Sequence, residues 1–330
     1  MDALGNAILV FLVSSAFVIG AGAGLARFGD ELAAATGWGK LWVGTLLVGI
    51  ATSLPEVTVS VSAVWLEKNP GLALGNVFGA DMINVFVLAC VALAFGVANL
   101  FGGQGRDTEL LILTGLGLVL LALVMGALGD VKLLGPTSVG GLLIGALYVY
   151  GMRRVYLAGQ DGDGGEEEAP RGSARRAWTG FLVSAVVVII AGRYLASSAD
   201  AIAEASGISA SFIGVLLVSI VTTLPEGSVT VAASLRRSYG IAMGNVYGSC
   251  AFNVAIVSIA DLFHSGPLLR EMEPAHFAAA LAALGLMAMG YLAFKACERP
   301  ALARWRVVVP VIPVAYVGAL YVVYTLGQQL

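Results

Sequence analysis

The sequence predicts an all-α polytopic membrane protein: ten transmembrane helices arranged as two inverted five-helix repeats. Three observations predict it. First, the 330 residues are 58% hydrophobic and only 12% charged, more apolar surface than a soluble domain of this length can hide, so lipid must be the solvent for much of it. Second, at roughly 20 residues per span there is room for about ten helices. Third, the stretch Thr52-Ser53-Leu54-Pro55-Glu56 returns 170 residues later as Thr222-Thr223-Leu224-Pro225-Glu226, which marks an internal duplication.

Hydropathy places the spans of the first half near 5–28, 40–66, 70–98, 109–128 and 135–157. The start of the chain lacks the basic flank of a signal peptide, so the first apolar run is expected to be a retained helix. A polar segment follows the fifth span, with Asp161, Asp163 and Glu166 to Glu168 ahead of Arg171, Arg175 and Arg176. Its spacing does not fit a calcium-binding EF-hand loop, and it reads as a solvated linker. The second half has spans near 177–203, 210–235, 239–263, 274–296 and 303–326. Expected units are therefore a first five-helix repeat over 1–157, a cytoplasmic linker over 158–176 and a second repeat over 177–330.

The duplication extends beyond the proline motif. Gly29-Asp30 to Gly37 matches Ala199-Asp200 to Gly207, and Gly75-Asn76-Val77-Phe78-Gly79 matches Gly244-Asn245-Val246-Tyr247-Gly248. Five spans per half is an odd number, so the second half enters the membrane in the opposite sense. With the N-terminus outside, 14 Lys and Arg fall on the cytoplasmic side and only Lys68, Lys132 and Arg270 outside, the bias expected of a cytoplasmic (inner) membrane protein. Arg193 lies within the sixth span, where it is expected to snorkel or to pair with an acid.

The motifs carry the chemistry. If each is helical, Thr52, Ser53 and Ser60 share a face with Glu56, and Thr222, Thr223 and Thr230 share one with Glu226. Pro55 and Pro225 have no N–H, so the carbonyls of Ala51 and Val221 lose their helical partners. Carboxylate, hydroxyl and carbonyl oxygens together suit a hard cation: calcium, sodium or magnesium. In the following spans Ala80 and Asn84 share a face, as do Ser249 and Asn253. The G-x-x-x-G pairs Gly75/Gly79 and Gly244/Gly248 are read as close-packing positions.

Other features exclude more than they suggest. Net charge of −3 with no basic tract argues against nucleic acid as a partner. Cys90, Cys250 and Cys297 sit in apolar runs as small packing residues. His264 and His276 are expected on a loop surface, Asp30 and Asp200 at helix ends, and Gly20 to Gly24 inside a span, where it makes no phosphate loop. No cofactor is expected, and the absence of a nucleophile elbow or H-E-x-x-H motif argues against an enzyme.

At Thr52 to Glu56 with Gly75 to Asn84, and again at Thr222 to Glu226 with Gly244 to Asn253, the sequence resembles the sodium/calcium exchangers of the cation/calcium antiporter superfamily. The resemblance covers nearly the whole chain. It implies that Glu56 and Glu226 bind calcium together at mid-membrane, with the carbonyls of Thr52 and Thr222. It further implies that Ser53, Thr223, Ser249, Asn84 and Asn253, with the carbonyls of Gly49 and Ser219, line adjoining sodium or water positions. Sliding of the first and sixth spans would give alternating access. Three departures bear on the ion count: Ala80 replaces a usual Ser, Asn253 stands where many prokaryotic members have Asp, and Asp81 stands at a usually neutral position. Asp81 lies about 60° from Asn84 in helical angle, so it is a candidate to restore the missing charge, the alternative being a pairing or capping role.

The expected function is antiport of calcium against sodium across a lipid bilayer, the two glutamates being neutralised by either ion in turn. A proton-coupled calcium or divalent-cation antiporter is the nearest alternative, since a proton also neutralises a glutamate. A passive cation channel is a third reading.

Overall fold

A computed structural model describes residues 3–36, 52–133, 137–160 and 174–328. Among these the backbone is helical with short turns, and the only strand-like pairing is an isolated bridge between Lys132 and Ser138. The main helices are α1 (Ala3–Thr36), α2 (Leu54–Trp65), α3 (Pro70–Phe95), α4 (Arg106–Leu128), α5 (Val139–Gln160), α6 (Ala174–Ser206), α7 (Ala210–Leu235), α8 (Tyr239–Asp261), α9 (Pro274–Glu298) and α10 (Val308–Gly327). Eight helices are long and apolar enough to cross a membrane. The other two are α5, whose 22 residues include Arg153 and Arg154, and α2, of which only 12 residues are described. The start of the predicted 40–66 span lies outside the described residues.

Local chemistry sets the helix ends. Asn69 caps α3, its side chain accepting from Leu72 N at 3.1 Å, and Pro70 occupies the first turn, where a missing N–H is harmless. Gly129 ends α4 in the left-handed region at φ 72°. At the start of α9, Glu273 and His276 form a reciprocal cap: His276 Nδ1 accepts from Glu273 N at 3.0 Å. That leaves Nε2 to carry the proton and donate to the Gly71 carbonyl at 3.0 Å. His276 is thus fully buried between α9 and α3, a correction to its expected place on a loop surface. His264 does lie in a turn, beside Gly266.

Helices that correspond by sequence run in opposite directions. On α1 and α6, Gly24 lies against Ser184 and Phe28 against Gly180, so these two pack antiparallel along the most extensive contact in the molecule. The C-terminal end of α2 and the N-terminal ends of α3, α7 and α9 meet around one cleft of about 520 Å³. Gln104, just beyond α3, meets Gly240 at the start of α8 on the opposite side. The cleft is lined by Glu67, Asp200, Glu204, Glu271, Glu273 and Lys68 among others. Glu67 has its carboxyl pushed above the usual range, mainly by partial burial and then by the charge of Asp200, with Arg193 opposing. Arg193 itself is exposed, so its charge serves Glu67 at the rim.

The centre of the bundle is α3 and α8, whose most apolar windows are 72% and 67% buried, against 33% for both α1 and α6. Backbone contact brings α3 onto α7. A Cβ on Gly75 would stand 2.4 Å from Ser211 O, one on Gly79 2.5 Å from Val215 O, and one on Gly214 2.5 Å from Leu72 O. The predicted packing role holds for Gly75 and Gly79. It does not hold among the described residues for Gly244 and Gly248, where a Cβ would meet no described atom within 4 Å. Gly22 of the glycine-rich run packs on the Pro225 ring, and its counterpart Gly192 on Thr58.

Gly79→Ala should therefore force α3 off α7 and destabilise the protein by about 1–3 kcal/mol. Gly318→Ala, whose new methyl meets nothing within 4 Å, should be neutral or stabilising by about 0.5–1 kcal/mol. Thermal unfolding of the two variants in detergent checks both.

Candidate functional site

The two proline motifs adopt different backbones. Ser53 sits in a turn, and α2 starts at Leu54 with Pro55 and Glu56 in its first turn. Thr52 is helical, so the motif departs from a fully helical reading by an interruption at Ser53, just ahead of Pro55. The arrangement sets Glu56 at a helix N-terminus, where unpaired N–H groups favour a carboxylate. Pro225 lies inside helix, so the Val221 carbonyl has no N–H four residues on. The turn ahead is wide: Gly214–Val218 is π-helical, a local unwinding that helices show most often at functional sites.

Both glutamates are fully buried and close enough to feel each other's charge. The hydroxyls do not serve the glutamate of their own motif, as the same-face spacing suggested; they cross over. Ser53 Oγ donates to Glu226 Oε1 at 3.1 Å, and Thr52 and Ser249 also reach that carboxyl. Thr222 and Thr223 approach Glu56 in the same way, without hydrogen bonds of ordinary geometry. Both Glu56 oxygens, Glu226 Oε2 and Thr223 Oγ1 have no hydrogen-bond partner.

Two asparagines tie the elements together. Asn76 Nδ2 donates to Ser60 Oγ at 3.0 Å, and its Oδ1 accepts from Thr222 Oγ1 at 3.2 Å. In the other half Asn245 Nδ2 donates to Thr230 Oγ1 at 3.0 Å and to the Glu226 carbonyl at 2.9 Å. Ser60 and Thr230 are thus engaged by asparagine. Asn76 and Asn245 stand out in the repeated G-N-V-[F/Y]-G stretch, yet spacing alone did not mark them as part of the site.

Asp81 is buried on α3 and faces α8: its Oδ1 accepts from Asn253 Nδ2 at 3.1 Å, and its backbone carbonyl lies 3.9 Å from the Cys250 sulfur. Asp81 Oδ2 and Asn253 Oδ1 have no partner, nor does Asn84 Nδ2 one turn along. Of the three cysteines Cys250 alone is buried, beside the Asp81 carbonyl, whereas Cys90 is exposed and Cys297 half-buried. Ser219 is buried and donates back to the Val215 carbonyl. Gly49 lies outside the described residues, as does the side chain of Asp30. Asp200 accepts from Asn69 at the rim of the cleft.

Among the described residues, seven of nine buried side-chain polar atoms without a partner belong to this cluster or the turn beside it. No lysine or arginine is buried among the described residues. Oxygen-rich, anionic and closed to water, the cluster has the donor chemistry of a hard-cation site.

The family model described as sodium/calcium exchanger protein matches residues 6–153 and 176–328. The chain is 28% identical over 228 residues to inner membrane protein YrbG of Escherichia coli strain K12, covering 66% of this chain and 67% of that protein. Its fold is similar to that of the sodium-calcium exchanger NCX_Mj, with TM-score 0.61, 22% identity and coverage of 96% and 98% of the two chains. It is also similar to that of the H+/Ca2+ exchanger CAX, with TM-score 0.69, 13% identity and coverage of 98% and 89%.

Asn76→Ala removes a partner from two buried hydroxyls, so it should cost about 1–3 kcal/mol of stability. Asn245→Ala should cost a similar amount, as it releases Thr230 and the Glu226 carbonyl. Melting temperatures in detergent, against an exposed control such as Asn99→Ala, measure the loss.

Proposed function

The chain belongs to the sodium/calcium exchanger protein family, and from that premise we propose that it exchanges calcium for sodium across a membrane, with Glu56 and Glu226 as the carboxylates over which the two ions compete. One observation carries the reading: two fully buried glutamates share a site that contains no buried lysine or arginine among the described residues. Such charges must be neutralised by something that enters and leaves. One divalent ion or several monovalent ions can do so.

Exchange follows from that competition. An empty site carries bare charge through apolar surroundings, so the switch between the two faces is costly unless cations are bound. Loaded with calcium, or with sodium, the site is near neutral and the switch becomes accessible. The carbonyls of Thr52 and Thr222 are assigned to calcium. Ser53, Thr223, Ser249, Asn84 and Asn253, with the carbonyls of Gly49 and Ser219, are assigned to adjoining sodium or water positions. The opposed directions of α1 and α6, and the meeting of the end of α2 with the start of α7, support two inverted five-helix repeats. The basic residues support an N-terminus outside and a cytoplasmic linker, and the similarity to an inner membrane protein supports the cytoplasmic membrane.

Proton coupling is the second reading. The likeness to an H+/Ca2+ exchanger favours it, and burial favours the protonated form of a glutamate.

In proteoliposomes, calcium uptake driven by a sodium gradient is expected, with little uptake driven by a pH gradient alone; the reverse pattern would favour proton coupling. Glu56→Gln and Glu226→Gln should each reduce uptake at least about 100-fold, the equivalent of roughly 2.8 kcal/mol. Wild-type exchange in either variant would sink the assignment.

A further inference from the structure

We propose that His276 is an acid-sensing latch at the cleft: a second proton on its ring releases the start of α7 from α9 and slows ion exchange. The effect on exchange rests on the antiport reading above, whereas the release itself does not.

The latch joins the starts of three helices. His276, on α9, is fully buried, and both ring nitrogens are committed. Nδ1 accepts from Glu273 N and Nε2 donates to the Gly71 carbonyl on α3, each at 3.0 Å. Glu273 holds α7. Its carboxylate accepts from His276 N and, through Oε2, from Ser211 Oγ at 2.9 Å. Ser211 is buried in the first turn of α7, just ahead of the π-helical stretch Gly214–Val218, and its carbonyl lies against Gly75 of α3. Beyond that stretch α7 carries Thr222 and Glu226, so the latch steadies the helix that supplies half of the ion site.

A second proton has no place in this pattern. It would go to Nδ1, which faces the Glu273 N–H, so two donors would meet where one bond now stands. An acceptor stands close by in the Glu273 carboxylate, whose charge acts on the ring. Turning to an imidazolium, that carboxylate gains a charge-assisted bond and lets go of Ser211. Protons have access, because Glu273 is exposed and lines the cleft. The other charged groups on this side are Glu271 in the turn ahead of α9, Glu67 and Lys68 in the turn ahead of α3, and Asp200 and Glu204 on α6. The end of α10 brings the neutral Gly327 and Gln328, and α4 meets this end of α9 through Gly126 against Phe277.

The test pairs hydrogen exchange of the purified protein with calcium uptake by sodium-loaded proteoliposomes. Both run between about pH 7.5 and 5.5, the range in which histidine ordinarily titrates. Uptake is measured with equal pH on both sides and saturating calcium, which outcompetes protons at Glu56 and Glu226. After correction for intrinsic rates, amides at the start of α7 should exchange several-fold faster in acid, and uptake should fall several-fold. His276→Gln keeps an N–H toward Gly71 and takes no proton, so both responses should vanish. Ser211→Ala should show fast exchange and slow uptake already at the upper pH. Acid-independent protection at the start of α7, or acid-independent uptake in the wild type, would overturn the proposal. So would His276→Gln responding as the wild type does, or Ser211→Ala matching the wild type at the upper pH. The expected hydrogen-exchange pattern without sodium-driven uptake at any pH removes antiport alone and leaves the latch standing.

Discussion

Two carboxylates sealed from water, with no buried cationic side chain among the described residues, set the terms for the rest of the molecule. Moving one such charge into a low-dielectric interior costs of order 20 kcal/mol in the idealised limit and several kcal/mol after relaxation. A whole domain is stable by only about 5–15 kcal/mol. The carboxylates of Glu56 and Glu226 are therefore tolerated in the bundle only when a cation or a proton neutralises them. The features nearby follow from that requirement. Glu56 lies at a helix N-terminus, Pro225 leaves a carbonyl free, and hydroxyls and amides surround both acids.

The hydroxyls crossing between motifs make the site a property of the assembly. Ser53 from one half serves Glu226 from the other, and Thr222 and Thr223 stand toward Glu56. Neither half closes a shell around its own carboxylate. Any rearrangement that separates α2 from α7 strips both glutamates at once, which couples the two faces of the site without a separate relay. Asn76 strengthens this link, since it bonds Ser60 in its own half and Thr222 in the other.

Much of this was legible in the sequence, within a limit that geometry explains. The duplicated motif located both glutamates, and apolar run lengths located most helices, because each depends on one segment alone. Helical spacing says which residues share a face; it does not say what stands opposite. For that reason spacing sets Ser53 beside Glu56 although it bonds Glu226, and it marks neither Asn76 nor Asn245. His276 follows closely on the polar run Arg270 to Glu273, which suggests a loop surface, while its partner, Gly71, lies 205 residues away. Gly75 and Gly244 look alike in sequence, and only the backbone of α7 against α3 shows that the first is a contact the second does not repeat among the described residues.

The same packing bears on how the site could open to each face in turn. The pair α1 and α6 make their largest contact with each other and are the less buried helices, so they form a body apart from the α3 and α8 core. Their contacts with the motif helices include glycine, Gly22 on Pro225 and Gly192 on Thr58, and also Leu54 packed on the Leu25 and Val188 cluster. Interlocked large side chains must unpack before helices slide, whereas a glycine surface against a proline ring or a methyl group leaves little to disengage. The hydrogen bonds around the two glutamates and Asp81 join α2 and the turn ahead of it, α3, α7 and α8, and none of them involves α1 or α6. The slide of α1 and α6 that the family resemblance implies therefore breaks none of the hydrogen bonds described around the two glutamates.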